Sequence, residues 1–132
     1  MINHKISILA VEDEMINQMV LRSFFTTLGI KAELVATGGQ ALSLIEQRHA
    51  EFDLVFMDLG LPDTTGIAIA QRIRQFEMLH DLEPLYICAL TASDNQEKQQ
   101  ECLESGMNVF MTKPITMEQI NHILHEFNTL PA

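Results

Sequence analysis

Two carboxylates, Glu12 and Asp13, follow the apolar run Ile6-Ser7-Ile8-Leu9-Ala10-Val11, and a third, Asp58, closes the run Leu54-Val55-Phe56-Met57. Two further runs stop at other reactive groups. Tyr86-Ile87-Cys88-Ala89-Leu90 ends at Thr91, and Val109-Phe110-Met111-Thr112 ends at Lys113-Pro114. Short apolar runs of this kind read as strands of a parallel sheet buried on both faces. In open α/β sheets ligands bind in the crevice outside the carboxyl ends of the strands, so three acids, a hydroxyl and an amine are expected at one edge. Carboxylates about 4 Å apart repel by roughly 4 kcal/mol per pair at an effective dielectric of about 20, so gathering three of them requires a compensating cation. All-oxygen ligation suits a hard divalent ion, and a few carboxylates plus water suit Mg²⁺, which keeps part of its hydration shell to meet a phosphate. Such a cluster is a phosphoryl site. One carboxylate can be the nucleophile, since aspartyl phosphates are a known covalent class, while Mg²⁺, Lys113 and the Thr91 hydroxyl stabilise charge on the phosphoryl oxygens.

The elements that must position these groups alternate along the chain. Ile16, Val20, Phe24 and Leu28 recur at a spacing of four, reinforced by Met19, and predict an amphipathic helix ended by Gly29. Lys31 to Ala36 reads as a second strand, and Thr37-Gly38-Gly39-Gln40 has the form of a capping box for a helix through about Arg48, with Ala41, Leu42 and Ile45 inward. After Asp58 and its loop, Ile69, Ala70, Ile73 and Phe76 form another helical stripe, and Glu83-Pro84 punctuates the return to the fourth strand. A helix over Asp94 to Glu104, capped by Ser93 or Asp94, opens with eight residues that carry no apolar side chain. Only the region of Cys102 and Leu103 can bury against the sheet, so this helix should be the least firmly held. Gly106 ends it, and after the fifth strand Thr116-x-x-Gln119 caps a last helix with Ile120, Ile123, Leu124 and Phe127 at helical spacing. Five strand-then-helix units in strict alternation imply a parallel sheet covered by helices on both faces. A barrel would need eight.

A chain of 132 residues is expected to form a single domain, 1–132, with its core over about 5–128. The formal charge of −10 argues against direct nucleic-acid binding, which draws on Lys and Arg. Partners should be proteins or cations. Cys88 and Cys102 lack metal or redox spacing and read as small apolar residues in a reducing cytoplasm. No apolar run has the length of a membrane span, and the N-terminal residues do not read as a signal peptide, so no membrane contact is expected.

Each group also has a plain reading. An acid at a strand end is most often a helix cap or part of a solvated turn, Lys113 alone is a surface lysine, Thr91 alone a cap, and Gly66 a turn residue. The joint pattern outweighs these. His122 and His125 are read as a solvated pair, His4, His49 and His80 as isolated, and the eight methionines mostly as core filler.

The segments Val-Glu12-Asp13-Glu, Met-Asp58-Leu-Gly-Leu-Pro62-Asp-Thr-Thr-Gly66, Leu-Thr91-Ala92 and Thr-Lys113-Pro114 resemble, in order and spacing, the receiver domain of two-component response regulators. The resemblance covers nearly the whole chain, and Asn17-Gln18 opening the first helix looks like receivers of hybrid sensor histidine kinases. It implies a flavodoxin-like three-layer sandwich, a five-stranded parallel sheet of order 2-1-3-4-5 with five helices. It implies that Asp58 accepts a phosphoryl group from a phosphohistidine on a histidine kinase or histidine phosphotransfer domain. Asp13 would ligate Mg²⁺ directly, Glu12 directly or through water, and the Gly60 backbone carbonyl would add a ligand. Lys113 would pair with the phosphoryl oxygens, Thr91 would move to hydrogen-bond them, and Lys113-Pro114 would be a cis peptide. Thr91 and Phe110 would switch a protein-interaction surface over residues 94–127, which would also serve a homodimer. The setting implied is the cytoplasm, including the cytoplasmic part of a membrane-anchored hybrid kinase.

Two positions depart from the pattern. Many receivers carry Tyr at the position matching Phe110, which cannot make the hydroxyl contact, and Gly60 lacks a side chain that in some relatives positions the hydrolytic water. Other functions are weighed on the same residues. An Asp-nucleophile phosphatase of the haloacid-dehalogenase type would need an acid where Gly60 stands, and Glu12-Asp13-Glu14 would repel the phosphate of a flavodoxin-like cofactor. A receiver-like protein-binding module that is never phosphorylated is the remaining alternative.

Overall fold

The computed structural model describes residues 6–92 and 96–130. Its elements alternate as β1 (Ser7–Val11), α1 (Met15–Leu28), β2 (Lys31–Val35), α2 (Gly38–Arg48), β3 (Leu54–Asp58), α3 (Gly66–Leu79), β4 (Tyr86–Thr91), α4 (Gln96–Glu104), β5 (Val109–Thr112) and α5 (Met117–Asn128), with a 3-10 turn over His49–Glu51. The strands form one parallel sheet in the order β2-β1-β3-β4-β5. This is the three-layer, flavodoxin-like arrangement with five helices.

Alternate side chains of each strand feed two cores, as the two-residue pleat requires. Leu9, Val11, Val55, Met57, Ile87 and Ala89 face Ala41, Leu42 and Ile45 of α2, Ile69 and Ile73 of α3, and Cys102 of α4. Ile8, Ala10, Leu54, Phe56 and Leu90 face Leu21 and Phe25 of α1 and Ile120, Ile123 and Leu124 of α5. The Phe25 and Phe56 rings stack across this layer at 5.8 Å. Every residue of β3 is buried, which explains why its sequence does not alternate. Both expected capping boxes form: Thr37 accepts from Gln40 and Thr116 from Gln119, with the glutamine side chains returning to the cap backbone. Gly29 ends α1 at φ 69°, where a β-carbon would be strained.

The structure corrects the sequence reading of α1. Leu21 and Phe25 are its buried residues, Phe24 and Leu28 pack partly against the core, and Ile16, Met19 and Val20 are 68%, 63% and 39% exposed. A strict spacing of four winds about 40° per step around a helix of 3.6 residues per turn. The stripe from Ile16 to Leu28 therefore starts on the outer face and reaches the core only at its end.

Two smaller differences concern Leu103 and His49. Leu103 is 42% exposed, leaving Cys102 as the buried residue of α4. Ser93 and Asp94, the expected caps and start of that helix, lie outside the described residues. His49 is not isolated: its Nε2 lies 2.7 Å from the carboxylate of Glu77, a buried acid on α3 that helical periodicity left unremarked.

Candidate active site

The acids that end β1 and β3 meet at one edge of the sheet. β1 and β3 are neighbours with Val11 beside Met57, so Glu12, Asp13 and Asp58 leave adjacent strands together. One carboxylate oxygen from each of the three lies within 4.8 Å of the others. Glu12 and Asp58 are buried and Asp13 is exposed, giving a pocket with two inner acids and one at the rim.

Glu12 is held on several sides. Its amide donates to Val35 O at 3.0 Å, its Oε2 accepts the Glu14 N–H at 3.1 Å, and Gln18 Nε2 on α1 donates to its backbone oxygen at 2.5 Å. Burial raises its carboxyl above the usual range and the nearby charge of Asp58 adds to this, against the lowering effects of the Glu14 N–H and Lys113. In the sequence Gln18 stands out only within the Asn17-Gln18 pair that looks like hybrid-kinase receivers, and nothing there signals its bond to Glu12 O.

Asp58 sits where β3 passes into the loop before α3. Its Oδ1 accepts the Gly60 N–H at 3.1 Å and its Oδ2 accepts from Lys113 Nζ at 2.9 Å. The loop folds back through Gly66 N to Leu59 O, 3.0 Å, and a bridge between Gly60 and Thr65. A β-carbon at position 66 would lie 2.4 Å from Asp58 O. Only glycine lets α3 start directly behind the acid, a stronger reason for Gly66 than a turn alone. Gly60 is thereby held two residues from Asp58, on the loop at the rim of the trio.

Lys113 follows β5, with its amide on Thr91 O at 2.8 Å and a cis bond to Pro114. Its ammonium lies 2.9 Å from Asp58 Oδ2 and 3.1 Å from Glu12 Oε1. Burial alone would lower its pKa, but the two carboxylates outweigh that and raise it. Part of the compensating charge that the three acids require is thus supplied by the chain itself, as the Lys113 ammonium pairs with the inner two. Thr91 is buried at the end of β4, in register with Thr112, while Phe110 is half-buried two residues earlier on β5 and packs against the α2/α3 core.

The donor set is chemically suited to a hard divalent cation. Three carboxylates converge without sulfur or imidazole, and oxygen-only ligation is what Mg²⁺ takes. Beside the cluster, Val20, Leu21, Asn17, Leu90 and Pro114 join Glu12 and Lys113 around a small cavity of about 130 Å³. The exposed face of α1 therefore begins at the site itself.

Comparison with known proteins agrees with this geometry. The family model for the response regulator receiver domain matches residues 8–125. Hybrid signal transduction histidine kinase K of Dictyostelium discoideum is 36% identical over 119 residues, covering 87% of this chain and 10% of that protein. Sensor histidine kinase RcsC of Escherichia coli is 33% identical over 122 residues, covering 92% of this chain and 12% of that protein. The chain thus spans only a small part of these kinases. Among solved structures, the receiver domain of the Saccharomyces cerevisiae response regulator Ssk1, crystallised with the histidine phosphotransfer protein Ypd1, superimposes with a TM-score of 0.87 at 34% identity, covering 96% of this chain and 91% of that one. The receiver domain of a Pseudomonas aeruginosa sensor histidine kinase, with a magnesium ion coordinated in its active site cleft, gives 0.82 at 33% identity, covering 94% and 98%. With its sheet order, its convergent acids and a family match across nearly all its length, the chain belongs to the response regulator receiver domains of two-component signalling.

Proposed function

We propose that this receiver takes a phosphoryl group from a phosphohistidine onto Asp58 and passes the change to a protein-interaction surface. The observation that carries the reading is the double engagement of Asp58: one oxygen is oriented by the Gly60 N–H, the other is paired with Lys113, and the carboxylate brings an oxygen within 4.8 Å of one from Glu12 and one from Asp13. In the transfer, an Asp58 carboxylate oxygen forms a bond to phosphorus as the phosphorus–nitrogen bond to the donor imidazole breaks. The histidine leaves with the electron pair of that bond and takes a proton. Lys113 turns from Asp58 to the incoming oxygens, and the Thr91 hydroxyl hydrogen-bonds them, which stabilises charge where it builds up. Glu12, Asp13, Asp58 and the Gly60 carbonyl would hold Mg²⁺, which supplies Lewis-acid neutralisation of the phosphoryl charge when bound.

The partner is inferred to be a histidine kinase or histidine phosphotransfer domain. A donor imidazole must approach from the open side of the trio, and there Met15, Ile16, Met19 and Val20 present exposed apolar side chains on α1, with Val20 also lining the cavity beside Glu12 and Lys113. A solved receiver of similar sequence is bound to a histidine phosphotransfer protein. The kinase relatives support a module that works within or beside a hybrid kinase; the module, 1–132, is inferred to be cytoplasmic. Among the described residues no helix is long and apolar enough to cross a membrane. On the output side, α4 buries only Cys102, and a shift of Thr91 and Phe110 would bias the face over residues 94–127, with a homodimer as one user of that face.

The test is phosphorylation by acetyl phosphate with Mg²⁺, followed by intact mass. The chain should gain one phosphoryl group and Asp58→Asn none. Equal labelling of the variant would overturn the assignment.

A further inference from the structure

The loop between β3 and α3 is fastened to a helix that takes no part in the acid cluster. Asp63 Oδ1 accepts the Gly38 N–H at 3.0 Å and its Oδ2 accepts the Gly39 N–H at 2.9 Å. These are the first two amides of α2, which have no partner within the helix. The two N–H groups pull the Asp63 carboxyl below its ordinary range. The contact also needs glycine at position 38, where a β-carbon would lie 2.5 Å from Thr64 Cγ2 and 2.7 Å from Ile69 Cγ1. The loop and the helix therefore fit together through two independent features: a bidentate acid on one side and an absent side chain on the other.

The helix has its own cap. Thr37 Oγ1 accepts from Gln40 N at 3.0 Å, and Gln40 Oε1 accepts from Ala36 N and Thr37 N. What Asp63 adds is a tether for the loop. The base of that loop is closed by the Gly60–Thr65 bridge and by Gly66 N on Leu59 O, and the Asp63 contacts tie down its exposed tip. We propose that Asp63 is a positioning residue for the metal and phosphoryl site, clamping the Gly60-bearing loop to α2 so that the Gly60 carbonyl is in place before the cation arrives. This rests on the receiver reading above. A preorganised ligand costs less ordering when the ion binds, and groups that orient a metal's ligands typically change its affinity by 10- to 100-fold when removed.

The experiment compares the full chain with Asp63→Ala and Asp63→Asn by calorimetric titration with Mg²⁺, alongside amide exchange and melting in chelator. Asp63→Ala should weaken Mg²⁺ by about tenfold and speed exchange of the Gly38 and Gly39 amides and of residues 59–65. Asp63→Asn, which keeps one acceptor oxygen, should fall between parent and Asp63→Ala and retain the fold should the alanine variant lose it. An ordinary helix cap would lower the melting temperature while leaving Mg²⁺ affinity within about twofold in both variants, and that result overturns the inference while the receiver reading stands. A parent chain that binds no Mg²⁺ overturns both.

Discussion

The Lys113 ammonium lies 2.9 Å from Asp58 Oδ2, the oxygen that would otherwise be open to phosphorus or to a cation. On the proposed function, Mg²⁺ would compete with Lys113 for the same inner acids. Lys113→Ala should tighten Mg²⁺ binding several-fold, because the charge on Asp58 and Glu12 is no longer partly neutralised. It should also slow phosphorylation by acetyl phosphate by at least about tenfold, since a stabiliser of the phosphoryl charge is gone. Titration calorimetry and mass-resolved kinetics on the same samples separate the two effects. Weaker Mg²⁺ binding in the variant would mean that Lys113 organises the acids more than it competes for them.

Glu12 makes the same site responsive to pH. Burial foremost, and then the charge of Asp58, raise its carboxyl, so between the ordinary and the raised value the folded chain keeps a proton that the unfolded chain has released. The stability arising from this shift is fully present below the ordinary glutamate range and is lost as pH rises through the raised folded value. Mg²⁺ needs the ionised form. Its affinity should therefore climb over that same window and level off above it, with proton uptake by buffer visible as a dependence of the binding heat on buffer ionisation enthalpy. Glu12→Gln should remove the Glu12 part of the climb, and an unchanged profile in that variant would assign the proton elsewhere.

The strand ends were legible in sequence because a strand buried on both faces leaves an unbroken apolar run, and Leu54 to Met57 followed by Asp58 is such a run. The convergence of the acids on one edge followed from their places at strand ends, and the adjacency of β1 and β3 from the sheet order that the receiver resemblance implied. Contacts between distant segments were not legible. Asp63 after Pro62 reads as a turn residue, and only the folded chain brings it to Gly38 and Gly39. The stripe on α1 failed for a different reason: Ile16 and Val20 are apolar like Leu21 and Phe25, and spacing does not say which of two apolar faces meets the sheet.

Glu77 shows the same limit in the core. On α3 it occupies a position that periodicity assigns to the buried side, and its carboxylate accepts from His49, from Arg74 at 2.7 Å and from the Leu85 amide at 2.7 Å. Arg74 goes on to Gly106 O and Asn108 Oδ1, so the network ties α3 to the turn before β5. Glu77→Ala should cost about 3 kcal/mol in urea unfolding, because it leaves the buried Leu85 amide without its acceptor and takes from Arg74 the carboxylate it pairs with. A loss below about 1 kcal/mol would mean that water replaces the carboxylate.

The exposed face of α1 supplies the remaining prediction. Met15, Ile16 and Met19 are 73%, 68% and 63% exposed, and within α1 the only charged residue is Arg22, although the chain carries a net charge of −10. An uncharged apolar strip beside a cluster of acids suits a protein donor better than a small-molecule one, because burying it against a partner helix releases water at no cost in unpaired charge. Ile16→Glu and Met19→Glu remove that gain without touching the core, so stability should stay within about 0.5 kcal/mol of the parent. Phosphorylation by acetyl phosphate should be unchanged, while transfer from a phosphorylated histidine phosphotransfer domain should slow by about tenfold or more, the equivalent of at least about 1.4 kcal/mol. Equal slowing with both donors would place the effect in the site chemistry, and no slowing with the protein donor would move the docking surface away from α1.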